Sequence, residues 1–149
     1  MDTTIFNQDH ILLDTASTTQ AEAFQAIADL AASLGYVSDA KAYAAGLKDR
    51  EAGATTGFKD GFAIPHSNDA SILKPGLFLV KFSHPIEWAA LDNQPVTVAF
   101  ALTIPKDGGK EHLKLLSQIA RKLMNAEFRT TIQNETDGAA LTTAVNQIQ

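Results

Sequence analysis

The chain has 149 residues, 45% of them hydrophobic and 19% charged, which is the size of one folded domain and a composition inside the globular range, away from the disordered one. It contains no cysteine, so disulfides, thiolate metal sites and cysteine nucleophiles are excluded. A net charge of −5 with no strong basic footprint argues against nucleic acid as a partner.

The charge is unevenly spread. Residues 1–40 hold Asp2, Asp9, Asp14, Glu22, Asp29 and Asp39 but no Lys or Arg, a pattern that reads as a solvated acidic surface. No apolar run approaches the ~18 residues of a membrane span, and no basic-then-apolar segment opens the chain. The expectation is a cytoplasmic protein forming a single domain over residues 1–149.

The first element predicted is a helix from Thr19 to about Leu34. Thr19 and Glu22 form a capping-box pattern, Phe24, Ile27, Leu30, Ala31 and Leu34 share a face, and Gly35 supplies a stop. A second helix is predicted from Asp39 to about Arg50, with Tyr43 and Leu47 on one side. Gly53 to Gly61 reads as loop, and Phe62-Ala63-Ile64 as a short extended piece biased by Pro65.

Leu77 to Phe82 is an apolar run, and Val96 to Ile104 alternates large with small side chains. Beyond Lys81 neither run carries a charged face, so both strands should be covered on each side. A helix from Lys110 to about Met124 places Leu113, Leu116, Ala120 and Leu123 on one stripe. Shorter helices are predicted at Glu127–Gln133 and Asp137 to about Gln147. The predicted fold is α/β: a three-layer sandwich, with a mixed central β-sheet flanked by helices on both faces.

Four histidines, His10, His66, His84 and His112, are the side chains that stay largely neutral yet nucleophilic near pH 7. Their wide spacing gives no metal-ligand pattern such as H-E-x-x-H, and no metal or other cofactor is expected. His66 closes Gly61-Phe62-Ala63-Ile64-Pro65-His66, where a strand delivers it to a sheet edge and Pro65 fixes its direction. Ligands are handled at such strand ends, although a structural turn histidine fits the same pattern. His112 lies in the first turn of its helix, where the dipole favours an anion; a core or edge histidine is the alternative.

Arg50, between Asp49 and Glu51, is either a solvated arginine balanced by its neighbours or a guanidinium fork for phosphoryl oxygens. His10 and His84 read as surface or turn residues. Gly108-Gly109-Lys110 fails the P-loop pattern, since position 104 is Ile and position 111 is Glu. No G-x-G-x-x-G or G-x-S-x-G motif is present.

Three segments together, Arg50-Glu51-Ala52-Gly53-Ala54-Thr55-Thr56-Gly57, Gly61 to His66, and Glu111-His112-Leu113-Lys114-Leu115-Leu116, resemble a known family. It is the enzyme IIA domain of the bacterial phosphoenolpyruvate-dependent sugar phosphotransferase system, fructose/mannitol type. The similarity extends over nearly the whole chain, through Pro85-Ile86-Glu87-Trp88, Leu91-Asp92 and the Leu123-Met124 to Arg129 tail.

The resemblance implies a phosphotransferase with a phosphohistidine intermediate. His66 would accept the phosphoryl group from the carrier protein HPr, with His112 beside it and Arg50 as an electrostatic partner. An enzyme IIB partner would receive the group next, and a membrane permease would deliver it to incoming sugar. Lys59 and Ser67 depart from the commonest family pattern, but neither removes a reacting group. A regulatory enzyme IIA-like protein, whose phosphorylation state controls partner binding, is the alternative, and an inert α/β binding module is a third.

Overall fold

The computed structural model describes residues 1–148. A 3-10 turn, Gln8–His10, leads into strand β1 (Ile11–Asp14). Helix α1 (Gln20–Ser33) starts at the predicted capping box: Thr19 Oγ1 accepts from Glu22 N–H, and the Glu22 carboxylate accepts from Thr19 N–H, both at 3.2 Å. Gly35 follows with φ +84, a backbone that costs glycine little. Asp39 caps helix α2 (Ala40–Gly53) by accepting from Ala42 N–H at 3.2 Å.

Four strands follow: β2 (Phe62–Ala63), β3 (His66–Ser67), β4 (Gly76–Ile86) and β5 (Val96–Thr103). The chain closes with α3 (Gly109–Lys122), α4 (Ala126–Asn134) and α5 (Gly138–Val145). Asn125 and Asp137 cap the last two, accepting from Phe128 N–H and Ala140 N–H at 2.9 Å. No helix among the described residues is long and apolar enough to cross a membrane.

The sheet order is β1-β4-β5-β2, with β3 carrying on beside β5 after Pro65. Strands β4 and β5 are antiparallel and the other pairs parallel, so the sheet is mixed as predicted. Its pleat divides the core between two faces. Phe78, Val80, Ala99 and Ala101 pack with Phe24, Ile27, Tyr43 and Leu47 of α1 and α2. Leu77, Leu79, Val98, Phe100 and Leu102 pack with Ile119, Leu123, Phe128, Ile132 and Leu141 of α3, α4 and α5.

The large–small alternation of β5 therefore has a use. Its small side chains lie under α2, and the hydroxyl of the buried Tyr43 reaches the sheet to donate to the Leu102 carbonyl at 2.7 Å. Burial raises the Tyr43 pKa well above its ordinary value.

Two expectations are corrected. His10 lies in a turn but not at the surface: it is 1% exposed, stacked on Phe78 at 4.8 Å, with its Nδ1–H donating to the Leu77 carbonyl at 2.8 Å. Its burial comes from partners far away in the chain. Leu113 is not on the core stripe of α3, which runs through Leu115, Leu116, Ile119, Ala120 and Leu123. Leu113 is 61% exposed. His84 lies exposed on β4, as expected.

Candidate functional site

His66 pairs with Leu102 at the C-terminal end of β5, one residue before that strand stops. Pro65 has a fixed φ, and its carbonyl accepts from Leu102 N–H at 3.0 Å while the Ser67 carbonyl accepts from Ile104 N–H at 3.0 Å. These bonds clamp the backbone on both sides of the imidazole. The ring turns back along its own strand, with Nδ1 2.7 Å from the Ile64 carbonyl oxygen. A carbonyl only accepts, so Nδ1 carries the hydrogen and the neutral ring has its lone pair on Nε2.

Burial of the half-buried ring lowers the His66 pKa below its ordinary value. The Arg50 charge pushes the same way, while the bond to the Ile64 carbonyl and the Glu51 charge oppose it. At neutral pH the ring is an uncharged nucleophile.

His66 lines a cleft of about 520 Å³. Helix α2 contributes Gly46, Asp49 and Arg50, β3 and the turn after it contribute Ser67, Asn68 and Asp69, and Ile104 and Leu113 complete the lining. Arg50 is exposed and donates one Nη1–H to the Ala54 carbonyl at 2.8 Å, which steadies the guanidinium and leaves further donors for a ligand. Glu51 does not neutralise it, because the Glu51 carboxylate accepts from Thr56 instead.

The structure thus brings Arg50 and His66 to one cleft. It does not place His112 in the lining, although its chain neighbour Leu113 is there: the His112 ring packs over Gly108, where a Cβ would come within 2.1 Å of His112 Cδ2. Asp49, Asn68 and Asp69 are cleft residues that the sequence reading missed. One signal was available for them. Gly46 stands in a helix interior, where glycine is unfavourable unless another chain segment approaches closely, and that segment is Ser67 and Asp69.

Chemically, the cleft offers one neutral imidazole and one guanidinium fork, with Asp49 and Asp69 contributing opposing negative charge. No group of three His, Cys, Asp or Glu side chains among the described residues is placed to hold a metal ion.

A family model described as phosphoenolpyruvate-dependent sugar phosphotransferase system, EIIA 2, matches residues 4–148. The chain is 34% identical over 119 residues to the fructose-specific EIIA component of Haloferax volcanii, covering 80% of this chain and 77% of that one. It is 34% identical over 111 residues to a nitrogen regulatory protein of Pseudomonas aeruginosa, covering 74% and 72%. Against the fructose-specific EIIABC component of Mycoplasma pneumoniae it is 40% identical over 88 residues, 59% of this chain but only 12% of that longer protein.

Among solved structures, the nitrogen regulatory protein IIA-Ntr of Neisseria meningitidis superposes with a TM-score of 0.88 at 24% identity, covering 95% of this chain and 97% of that one. A complex of the mannitol enzyme IIA with phosphorylated mannitol enzyme IIB, from Escherichia coli, superposes with a TM-score of 0.79 at 14% identity, covering 95% and 96%. At these identities the superpositions establish the fold.

Proposed function

The chain belongs to the EIIA 2 family of the phosphoenolpyruvate-dependent sugar phosphotransferase system, and from that premise we propose that it is a cytoplasmic phosphoryl relay. His66 Nε2 attacks phosphorus in phospho-HPr, in line with the departing carrier nitrogen. The new N–P bond forms as the old one breaks, and the carrier nitrogen keeps the electron pair. The Nδ1–H stays on the Ile64 carbonyl, which steadies the positive character the ring acquires. The group then passes to an enzyme IIB partner, and through it to sugar entering by a membrane permease.

Arg50 lays its fork on the equatorial oxygens of the transferring group. His112 supplies a second contact. No cofactor takes part in this scheme. Two moderate contacts suit a relay better than a tight clamp, because a phosphorylated state held too strongly would not pass its group on.

The observation that supports this reading is the 2.7 Å contact between His66 Nδ1 and the Ile64 carbonyl, which leaves the lone pair of the neutral ring on Nε2, in a cleft that Arg50 also lines. The test is incubation with labelled phosphoenolpyruvate, enzyme I and HPr. His66→Ala is expected to take up no acid-labile phosphate while keeping the wild-type unfolding curve. Labelling of that variant at the wild-type rate rejects the assignment.

A regulatory role is the second reading, favoured by the 34% identity to the Pseudomonas aeruginosa nitrogen regulatory protein. Deleting the gene and measuring sugar uptake separates the two: a relay is required for uptake, whereas a regulator is not.

A further inference from the structure

Glu51 is a half-buried carboxylate in the last turn of α2, where the helix dipole disfavours negative charge. It is held there by Thr56. One carboxylate oxygen accepts from Thr56 N–H at 2.7 Å, and the other accepts from the Thr56 hydroxyl. Thr56 is 8% exposed, and its hydroxyl oxygen also receives the indole N–H of the buried Trp88 at 3.3 Å. A charged acceptor gripping both donors of one residue allows that residue little freedom.

From Thr56 the bonding continues to the imidazole. The Thr56 carbonyl accepts from Ile64 N–H at 3.0 Å, and the Ile64 carbonyl accepts from His66 Nδ1–H at 2.7 Å. Gly57 allows this packing, since a Cβ there would come within 2.5 Å of Ala90 Cβ. The Ile64 carbonyl belongs to the bond into Pro65, so its direction follows the position of the Ile64 backbone. That backbone is tied on this side through Thr56.

We propose that Glu51 is a positioning residue: through Thr56 it fixes the Ile64 carbonyl, and thereby holds His66 as the tautomer and in the orientation that present Nε2 to the phosphoryl donor. Glu51 acts on the imidazole through two residues and does not touch the transferring group. The inference rests on His66 being the phosphoryl acceptor, and deepens that reading.

The experiment compares wild type, Glu51→Gln, Thr56→Val and Thr56→Ser by two readouts. The first is the ring nitrogen NMR shifts of His66 across pH, which report tautomer and titration without any transfer. The second is the kinetics of transfer from phospho-HPr. Glu51→Gln and Thr56→Val are expected to change the ring from one tautomer to a mixture and to lower kcat by about 10- to 100-fold, with KM within about twofold. Thr56→Ser, which keeps both donors, should match wild type.

Wild-type ring shifts and pH profile in both Glu51→Gln and Thr56→Val, with only stability reduced, would overturn the proposal and leave Glu51 as a loop anchor. If Glu51→Gln does not fold, Thr56→Val alone decides, since it keeps the backbone bond to Glu51. Failure of wild-type protein to take phosphate would reject the relay reading instead, and the NMR arm would still report whether Glu51 sets the tautomer.

Discussion

Replacing Gly46 with alanine tests how closely α2 must lie against the strand that carries His66. On helix propensity alone the change should stabilise by about 1 kcal/mol. Here, however, a Cβ would come within 2.5 Å of Ser67 Oγ and 3.1 Å of Asp69 Cβ. Ser67 Oγ cannot rotate clear without giving up the bond it accepts from Asp69 N–H at 3.2 Å.

Overpacking of this kind costs about 1–3 kcal/mol. Taking about 2 kcal/mol against the propensity gain, the expected result is a net loss of about 1 kcal/mol, or a Tm lower by about 2–4 °C in a chain of this size. In a Ser67→Ala background the nearest contact relaxes to the 3.1 Å approach of Asp69 Cβ. The same substitution should there be close to neutral, giving a coupling of about 1 kcal/mol between the two sites. Urea unfolding of the four proteins measures this. If Gly46→Ala stabilises the wild type by the full propensity gain, independently of residue 67, then the helix–strand approach is not a constraint and the reasoning fails.

Arg50→Lys is expected to slow transfer from phospho-HPr by about tenfold or more, because an ammonium cannot present a planar fork; unchanged kinetics would remove the guanidinium from the transition state. Burial is the main cause holding both His10 and His66 below their ordinary pKa of 6.5. Between the folded and ordinary values the unfolded chain binds more protons, so stability should be full above pH 6.5 and fall as pH drops below it. His10→Phe should flatten that slope in urea titrations, and an unchanged slope would contradict the buried histidine's share. Phosphoryl acceptance should hold down to pH 6.5 and decline only below it; a decline that begins above it would contradict the lowered pKa. Tyr43→Phe leaves the Leu102 carbonyl without its 2.7 Å donor and should cost about 1–3 kcal/mol in urea unfolding, whereas no loss would mean the hydroxyl contributes nothing net.

Local chemistry was readable from sequence wherever neighbours in the chain supplied both partners. The Thr19–Glu22 capping box formed as predicted, and of Ser38 and Asp39, either of which could cap α2, Asp39 does so. The large–small alternation of β5 correctly announced a strand covered on both faces. What stayed hidden depended on contacts between distant segments. His10 is buried through Leu77, 67 residues away, and nothing in its own neighbourhood signals that. Strand β1 has four residues, too few to show a period.

The same division holds at the cleft. His66 and Arg50 stood out because each has a distinctive local setting, and both line it. The three segments that framed them lie within residues 4–148, which match the EIIA 2 family. Asp49 and Asp69 became visible only once α2 had been laid against β3. Glu51 was read merely as balancing its arginine neighbour, and its true partner lies five residues on.

The cover along β2 also has a consequence for behaviour in a crowded cell. An outermost strand with free donors is a template on which another chain can polymerise. Here the Thr56–Phe58 segment already occupies the flank of β2, with Phe58 N–H donating to the Phe62 carbonyl at 2.8 Å and Ile64 N–H to that of Thr56 at 3.0 Å. The stretch of margin just before the imidazole is thereby closed to strand addition, which lowers the risk that repeated handling by other proteins seeds fibrils.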